Sequence, residues 1–565
     1  MSRSPVLNPA FALFCHAQSA PERPALVVDD RTYTYAELAG AAGRVATWLR
    51  GHGAAAGGDG GAAHRPRVGV LANRSFETYA GILGAAWAGA TWVPLNPKQP
   101  AARIDTVIER AGVASLIVDG RGMPRWRELK APVANVLVPA APDSDAGAGN
   151  ASCAALSASP SSSAVTTWDA LPNVPDGLPP AALAADDVAY LIFTSGTTGV
   201  PKGVLVTAGG LAHYVAGIRA LFHVGPGDRV SQFFETTFDP SIHEWSMCFD
   251  GGAALHVIPD GKMMNPAGFI RQREITVFTC VPSLILMLQR MKQLEPGAFG
   301  SIRVSIFGGE GLPVASLKLW QPAAPNAVIE NHYGPTEATI ACLGYRYRDR
   351  AGETPDGETR DGETPGRGTL AIGHPFPGMH AGVVDGTMNF LGRGQVGELA
   401  VSGPQLATGY LGDDAQTARR FPVLDHPQLG RSRWYLTGDS AICDEQGRFH
   451  CLGRIDNQVK VMGHRVELEE VEAHLRAVMR TQSVAAVAWP LTNGNAAGLV
   501  AFAAGAPVPP AEAREALRGR VPAYMVPARV VPLDALPLST NGKVDRHALR
   551  AILEQGQGGV EVKSS

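Results

Sequence analysis

Helix-like and strand-like hydrophobic patterns alternate along most of this 565-residue chain. Residues 32–50, TYTYAELAGAAGRVATWLR, carry apolar side chains at helical spacing, and residues 67–72, RVGVLA, form a continuous apolar run typical of a buried strand. Residues 76–95 combine a helical pattern with a second strand-like run. Alternation of this kind is typical of α/β folds, so we predict sheets covered by helices.

The pattern changes near residue 453. Residues 453–478 indicate a strand and a turn followed by a charged helix, and short apolar runs alternate with a helical pattern after them. We therefore predict a large domain of residues 1–452 and a small α+β domain of residues 453–565.

Three segments interrupt the alternation: 51–67, 139–165 and 350–369. All three are rich in Gly, Ala, Ser, Pro or charged residues and carry no apolar periodicity. Such segments have no core of their own, so we expect surface insertions.

Composition excludes several classes of protein. The chain has 49 basic and 52 acidic residues and a formal charge of -3, which gives no field for holding a nucleic acid. Its seven cysteines are never spaced as Cys-x-x-Cys, which argues against a zinc site and a disulfide framework. The first residues lack a basic n-region and their short apolar stretch is interrupted by Pro9 and His16, so we expect no signal peptide there, and no apolar run is long enough to cross a bilayer. We expect a cytoplasmic protein that binds neither nucleic acid nor membrane.

A glycine-rich loop is the first sign of chemistry. Residues 191–204, LIFTSGTTGVPKGV, lead from an apolar strand into small and hydroxyl-bearing residues and then a lysine. Backbone N–H groups can crowd around an anion in such a loop, so its composition predicts a phosphate site. It is not a Walker A loop, because Lys202 stands between Pro201 and Gly203.

This loop resembles the phosphate-binding signature of the adenylate-forming superfamily, which includes acyl-CoA synthetases, luciferases and adenylation domains of nonribosomal peptide synthetases. Five further signatures of the superfamily follow in its order, at 331–340, 397–412, 435–439, 453–472 and 536–546. The resemblance implies a large N-terminal domain of stacked sheets with helices, joined by a hinge to a small mobile α+β domain. It also implies ATP and Mg²⁺ as cofactors.

The same resemblance implies roles for individual residues. Tyr333 would stack on adenine, Thr336 would contact the α-phosphate, Glu337 would hold magnesium, and Asp439 would bind the ribose. Lys543 would be the catalytic lysine, acting together with Thr336 and Glu337. The ATP-binding residues implied in all are Thr194, Ser195, Gly196, Thr197, Thr198, Lys202, Gly309, Glu310, Asn331, Tyr333, Gly334, Thr336, Asp439 and Arg454.

Three further residues belong to the movement that the superfamily makes between its two half-reactions. Asp456 lies at the hinge position, and Lys460 and Gly463 lie on the strand that is brought in for thiol transfer. The resemblance implies that the small domain rotates after adenylation and replaces the lysine loop by this strand.

Residues 234–245, FETTFDPSIHEW, resemble the amino-acid-activating branch of the superfamily. Asp239 occupies the position that pairs with a substrate α-ammonium, and a buried carboxylate requires such a partner. The implied substrate-binding residues are Asp239, Pro240, His243, Thr279, Ile306, Gly308, His332, Ile340 and Ala341. The histidines and the threonine make this lining polar, which suits a side chain with a carboxylate, amide or hydroxyl group. The alternative is that both imidazoles are packed against neighbours and bonded to backbone.

We therefore expect ATP-dependent adenylation of an amino acid, in nonribosomal peptide or related secondary metabolism. Only 16 residues follow Leu549, which leaves no room for a carrier domain. We expect a free-standing enzyme that loads the phosphopantetheine thiol of a separate carrier protein. One alternative is an acyl- or aryl-CoA ligase, against which Asp239 argues. A non-catalytic module with the same fold is the other, and the intact signatures argue against it.

Overall fold

The structure is a computed structural model, and it describes residues 7–53, 65–140, 163–175, 177–196, 200–347, 362–364, 368–461, 463–492, 495–538 and 544–557. The α-helices are α1 (Phe11–Ser19), α2 (Tyr35–Gly51), α3 (Phe76–Ala88), α4 (Ala101–Ala111), α5 (Met123–Trp126), α6 (Ala208–Leu221), α7 (Pro240–Gly251), α8 (Ala267–Gln272), α9 (Ser283–Arg290), α10 (Val314–Ala323), α11 (Asp414–Arg420), α12 (Leu468–Met479), α13 (Pro510–Arg518) and α14 (Arg546–Gln557). Short 3₁₀ helices span Trp168–Ala170, Asp260–Lys262, Thr336–Ala338 and Ala523–Met525.

The strands alternate with these helices. They are β1 (Pro24–Val28), β2 (Arg31–Thr34), β3 (Arg67–Leu71), β4 (Thr91–Leu95), β5 (Val113–Val118), β6 (Asn135–Val138), β7 (Ala164–Thr167), β8 (Val188–Thr194), β9 (Lys202–Thr207), β10 (Arg229–Gln232), β11 (Ala254–Val257), β12 (Val277–Cys280), β13 (Val304–Gly308), β14 (Val328–Tyr333), β15 (Leu343–Tyr347), β16 (His374–Pro375), β17 (His380–Val384), β18 (Val396–Ser402), β19 (Gly409–Tyr410), β20 (Val423–His426), β21 (Gly430–Arg433), β22 (Tyr435–Cys443), β23 (Phe449–Arg454), β24 (Gln458–Val461), β25 (His464–Glu467), β26 (Val484–Ala488), β27 (Leu491–Thr492), β28 (Asn495–Ala496), β29 (Leu499–Ala504) and β30 (Arg529–Leu533).

The chain divides into two compact units. Unit 1 comprises Met1–Pro97, Ile104–Phe193 and Gly203–Gly453, and unit 2 comprises Lys98–Arg103, Thr194–Lys202 and Arg454–Ser565. The unit that holds the C-terminal residues thus also contains the glycine-rich loop, which no local sequence pattern indicates. The domain boundary after residue 452 stays a prediction.

Two large sheets form the framework of unit 1 in the described part of the chain. One has nine strands in the order β16-β15-β14-β13-β12-β10-β11-β1-β2, and the other has eight in the order β19-β9-β8-β4-β3-β5-β6-β7. Strands β10 to β14 pair in parallel, as do β3 to β7, and antiparallel strands lie at the edges. A further sheet has the order β17-β18-β22-β23. The predicted α/β class is confirmed.

A buried aromatic cluster lies between α7 and the eight-stranded sheet of unit 1. The Trp92 ring centroid is 5.3 Å from that of Tyr190 and 5.9 Å from that of Trp245, and all three side chains are buried. Buried aromatic pairs at this spacing contribute about 0.5–1.5 kcal/mol beyond their area burial. They fix α7, which carries Trp245, against the strands of the second sheet.

In unit 2, the described strands form two small sheets, β25-β24-β28-β27 and β26-β29-β30. Strand β29 pairs antiparallel with β26 and in parallel with β30. Helix α12 buries Val471 and Leu475 in the core of this unit, beside Leu499 and Ala501 from β29. The strand, turn and charged helix predicted at 453–478 are present, but a second strand, β25, lies between the turn and α12. Its four residues are too few and too polar to show a period.

The first predicted helix begins later than its pattern indicates. Residues 32–34 belong to β2, and α2 begins at Tyr35, because Thr34 and Glu37 form a capping box. The Glu37 N–H donates to Thr34 Oγ1 at 3.2 Å, and the Thr34 N–H donates to Glu37 Oε2 at 2.7 Å. Most residues of the three predicted insertions lie outside the described residues. No described helix is long and apolar enough to cross a membrane.

Candidate active site

Three neighbouring strands place several predicted substrate-binding residues on one face of the nine-stranded sheet. Thr279 of β12 pairs in register with Ile306 of β13, and Ile306 pairs with Glu330 of β14. His332, two residues beyond Glu330, pairs with Gly308. Since side chains alternate along a strand, these residues share a face. The register therefore brings together Thr279, Ile306, Gly308 and His332.

Asp239 lies directly before α7, and Pro240 occupies the first turn of that helix, where proline's missing N–H costs nothing. The Asp239 side chain is buried, with 4% of its surface exposed. Burial raises the pKa values of the Tyr190 and Tyr214 hydroxyls well above their usual range, and the negative charge of Asp239 raises both further. Both tyrosines therefore stay protonated next to this carboxylate.

Two imidazoles and a phenol meet where α7 approaches the same sheet face, and we call Tyr214, His243 and His332 the histidine cluster. The Tyr214 hydroxyl lies 2.8 Å from His243 Nδ1, and the two imidazole centroids are 6.2 Å apart. Burial lowers the pKa of each histidine to about 3, so both rings are neutral near pH 7. Neither Nε2 atom has a hydrogen-bond partner among the described residues.

Ile340 and Ala341 lie at the end of a strained turn after the 3₁₀ helix Thr336–Ala338. Thr339 has φ of 56° and Ile340 has φ of 71°, a region that a β-branched residue rarely occupies. Buried Gln405 supports this turn. Its side-chain Nε2 donates to the Ala341 carbonyl at 2.7 Å, and its main-chain carbonyl accepts from Thr339 Oγ1 at 2.5 Å. Because strain of this kind persists only where neighbours impose it, Gln405 is a positioning residue.

Gly334 lies in the same region and has a steric reason to be glycine. A Cβ atom built on it would lie 2.4 Å from Ala341 Cα, closer than any side chain tolerates. Any other residue would push the turn away from β14. A glycine at this position therefore keeps predicted substrate-binding residues of the turn next to predicted nucleotide-binding residues of β14.

We call Tyr333, Glu337, Tyr410 and Asp439 the nucleotide-side group. The Tyr333 hydroxyl donates a hydrogen bond to Asp439 Oδ2. Burial raises the pKa of Tyr333, and the neighbouring Asp439 charge raises it further, so the phenol remains a donor. This bond joins the residue predicted to stack on adenine to the residue predicted to bind ribose.

Glu337, the predicted magnesium ligand, is fully buried and lies in the short 3₁₀ helix. Its Oε1 accepts a hydrogen bond from the Tyr410 hydroxyl at 2.8 Å. Among the described residues, no group of three or more His, Cys, Asp or Glu side chains could hold a metal ion. A single carboxylate fits Mg²⁺ when substrate phosphates and water complete the octahedron.

Other predicted nucleotide residues have structural contacts. Asn331 Nδ2 donates to the Ala371 carbonyl at 2.7 Å. Glu310 accepts bonds from the backbone N–H and hydroxyl of Ser283, at 3.0 and 3.1 Å, where α9 begins. Gly309 has φ of 83°, which favours glycine. These contacts fix the positions of Asn331 and Glu310, and the nucleotide roles of all three residues remain predictions.

Within unit 2, carboxylates of the segment before and at the start of α12 contact the glycine-rich loop. The Gly196 N–H donates to Glu470 Oε2 at 3.0 Å, and Arg103 Nη1 donates to Glu470 Oε1 at 2.7 Å. Lys202 Nζ lies 3.6 Å from Glu467 Oε1. A carboxylate thus accepts a hydrogen bond from a backbone N–H of the loop, and anion binding by backbone N–H groups is the chemistry expected of a phosphate site.

The remaining predicted residues of unit 2 lie near its first strands. Arg454 Nη2 lies 2.6 Å from Asp456 Oδ2, and Arg454 Nε donates to Asp456 Oδ1 at 2.9 Å. Lys460 is on β24, and Gly463, with φ of 83°, precedes β25. Thr197, Thr198 and Lys543 lie outside the described residues.

Sequence reasoning missed four positioning residues. Gln405 and Tyr410 lie inside the signature at 397–412, which could have indicated them, and Glu470 lies inside that at 453–472. Tyr214 lies on α6, outside every signature, and no sequence signal distinguishes it from a core tyrosine.

Comparison with known proteins identifies the family of this chain. The family model described as AMP-binding enzyme matches residues 13–411. A solved structure of the adenylation domain AlmE from Vibrio cholerae, in complex with glycyl-adenosine-5'-phosphate, has a TM-score of 0.82 at 27% identity, and the match covers 98% of this chain and 99% of that one.

Curated relatives include parts of much longer synthetases. Phosphinothricin tripeptide synthetase PhsC from Streptomyces viridochromogenes is 34% identical over 95% of this chain and 44% of its own length. Delta-poly-L-ornithine synthetase from Acinetobacter baumannii is 30% identical over 95% of this chain and 36% of its own length. The chain thus spans less than half the length of these two relatives. It belongs to the AMP-binding enzyme family and is an adenylate-forming enzyme of the nonribosomal-peptide-synthetase adenylation type.

Proposed function

We propose that this enzyme uses ATP to activate the carboxylate of an amino acid as an aminoacyl-AMP. It then passes the aminoacyl group to the phosphopantetheine thiol of a carrier protein. The buried Asp239 carboxylate is the observation that carries the amino-acid part, because a substrate ammonium group beside it would form a charge-assisted hydrogen bond. The relative AlmE, whose structure holds glycyl-adenosine-5'-phosphate, supports the same direction.

The role proposed for each residue follows from its contacts within its own unit. Tyr333 and Asp439, which are already hydrogen-bonded, would bind adenosine, and Thr336 would contact the α-phosphate. Glu337 would hold Mg²⁺ together with the nucleotide phosphates, and the ion would neutralise charge on the leaving pyrophosphate. Lys543 would stabilise the charge that develops as the carboxylate oxygen attacks phosphorus.

A relative described as a probable non-canonical nonribosomal peptide synthetase supports a carrier protein as the acceptor. Asp456 would be the hinge, and Lys460 and Gly463 would serve the thiol-transfer step. In this proposal Arg454 assists in ribose binding when its ion pair with Asp456 opens.

Exchange of labelled pyrophosphate into ATP tests the proposal directly. Each amino acid is assayed beside its amine-free analogue, on the wild-type chain and on Asp239→Asn, which keeps the size of the side chain and removes its charge. We expect the wild type to prefer an amino acid and the variant to lose at least about 100-fold with it, because a charge-assisted pair is lost, while amine-free analogues change little.

Exchange with amine-free acids alone would contradict the proposal and favour a CoA ligase. Transfer is then assayed with labelled amino acid, either on a phosphopantetheinylated carrier protein or on coenzyme A. Faster acylation of coenzyme A than of any carrier would contradict the proposed acceptor.

A further inference from the structure

The histidine cluster presents polar atoms for which the described fold supplies no partner. His243 and His332 are both buried, and each Nε2 lacks a hydrogen bond among the described residues. Thr279, on the same sheet face as His332, has a buried hydroxyl without a partner there too. Since an unpaired buried polar group destabilises the protein, a ligand that pairs these groups gains the hydrogen bonds that the fold leaves unsatisfied.

The contact with Tyr214 determines which His243 nitrogen carries the proton. Within the described residues, His243 Nδ1 is the hydrogen-bond partner of the Tyr214 hydroxyl, at 2.8 Å. A buried phenol that has one partner donates to it, because its proton would otherwise stay unpaired. The neutral ring therefore accepts at Nδ1 and carries its own proton on Nε2. His243 thus offers a hydrogen-bond donor.

His332 has the same preference. Its Nε2 lies 3.9 Å from Glu330 Oε2, and Arg346 Nε donates to Glu330 Oε1 at 2.6 Å. The nearby carboxyl oxygen favours the tautomer with the proton on Nε2, the atom that has no hydrogen-bond partner among the described residues. Each of the two rings therefore offers a hydrogen-bond donor at Nε2.

The charges near the two rings limit the class of substrate side chain further. Both imidazoles are neutral, because burial lowers each pKa to about 3. Among the described residues, Arg346 is the cation that acts on His332, and it already pairs with Glu330, so an anionic substrate side chain would be buried without a counter-charge. A cationic side chain would meet a carboxyl group that Arg346 already satisfies.

We propose that the histidine cluster selects substrates whose side chain carries an uncharged hydrogen-bonding group, a hydroxyl or a primary carboxamide. Such a group accepts from the Nε2–H groups of His243 and His332 without adding a buried charge, whereas a carboxylate adds one and an alkyl group cannot accept a hydrogen bond. This inference rests on the proposed function, because it assumes that the amino acid lies along the sheet face of β12 to β14.

A panel of matched substrates in the pyrophosphate-exchange assay tests the inference on the full-length wild-type chain. The sets are threonine against valine, serine against alanine, asparagine against aspartate and leucine, glutamine against glutamate, and homoserine against 2-aminobutyrate. We expect kcat/KM for the best hydroxyl or carboxamide substrate to exceed that of its apolar and charged counterparts by at least about 100-fold. An apolar or charged best substrate would overturn the inference.

Three variants locate the selectivity. His332→Leu should reduce the ratio between the polar substrate and its apolar counterpart at least tenfold while exchange with the apolar one persists. Tyr214→Phe should reduce the ratio by a smaller factor, chiefly through KM, because the His243 proton is no longer fixed. Phe376→Leu is the control: it removes an aromatic neighbour 5.3 Å from His332 but no hydrogen-bonding atom, so the ratio should hold.

Unchanged ratios in both His332→Leu and Tyr214→Phe would assign these rings to packing alone and overturn the inference. If the proposed function itself were wrong, the exchange assay would give a different result, because amine-free acids would then support exchange and no amino acid would. If a variant fails to fold, the wild-type panel still decides the side-chain class.

Discussion

In the nucleotide-side group, the Tyr333 hydroxyl donates to Asp439 and the Tyr410 hydroxyl donates to Glu337 at 2.8 Å, so its acidic side chains are oriented by the fold itself. In the histidine cluster, by contrast, both Nε2 atoms have no partner among the described residues. Both regions belong to unit 1, and both include residues of β14. One region is preorganised for a ligand of fixed structure, and the other depends on the ligand to complete its bonds.

This difference has a chemical reason. Every reaction of an adenylate-forming enzyme uses the same nucleotide, so a preorganised site avoids reorganisation when charge develops at phosphorus. The acid varies between members of the family. Unsatisfied donors and acceptors then act as a filter, because a substrate that leaves them unpaired forfeits binding energy. We therefore expect substitutions in the nucleotide-side group to affect all acids equally, and those in the histidine cluster to change the choice among them.

The largest expected effect belongs to Glu337. Glu337→Gln keeps an oxygen that can accept from Tyr410 but removes the charge proposed to hold Mg²⁺. We expect the exchange rate to fall about 100- to 1,000-fold with every acid, because a charge stabiliser at the reacting phosphates is lost.

Tyr410→Phe is the matched control, since it removes the hydrogen bond and leaves the charge. Its loss should be smaller, and added Mg²⁺ should not restore it. If the two variants lost equal activity, orientation and not charge would be the role of Glu337. A loss in Glu337→Gln confined to one acid would break the comparison.

The next largest effect is expected at Gln405, which lies between the two regions. Gln405→Ala leaves the Ala338 and Ala341 carbonyls without their side-chain donor. Because both carbonyls are buried, we expect a loss of about 1–3 kcal/mol in the free energy of unfolding, measured by urea titration. The strained turn should relax at the same time, so activity should fall with all acids together. A change in substrate choice at unchanged stability would contradict this role.

The general features of the fold were accessible from sequence, and the site only in part. Periodicity indicated α3, β3 and β4, because long amphipathic or fully apolar segments encode their own burial. Sequence patterns did not indicate the short strand β25 or the start of α2, since three polar residues and one valine show no period and a cap decides a helix boundary locally.

The histidine cluster illustrates the limit for the site. The signatures drew attention to His243 and His332, but not to Tyr214, whose hydroxyl fixes a tautomer from another helix. A contact between residues 29 positions apart follows from the packing of α6 and α7, and no local pattern records it. The contacts of Glu470 with Gly196 and Arg103 span still longer separations in the chain.

The smallest effect is expected in the pH dependence of stability, where the histidine cluster should differ from the nucleotide-side group. His243 and His332 have folded pKa values of about 3, below the usual 6.5, so the stability that their neutral forms contribute is present above pH 6.5 and is lost as pH falls toward 3. In this window the unfolded chain binds a proton at each site and the folded chain does not. Each histidine therefore contributes a slope of about 1.4 kcal/mol per pH unit.

Urea unfolding followed by tryptophan fluorescence between pH 7 and 5 measures that slope. The free energy of unfolding of His332→Leu should depend less steeply on pH than that of the wild type, by about the slope of one histidine. Tyr410→Phe removes no histidine and should keep the wild-type slope. Equal slopes in the wild type and His332→Leu would mean that the folded ring takes up a proton as readily as the unfolded one. The assignment of two neutral rings, and with it the difference between the two regions, would then be wrong.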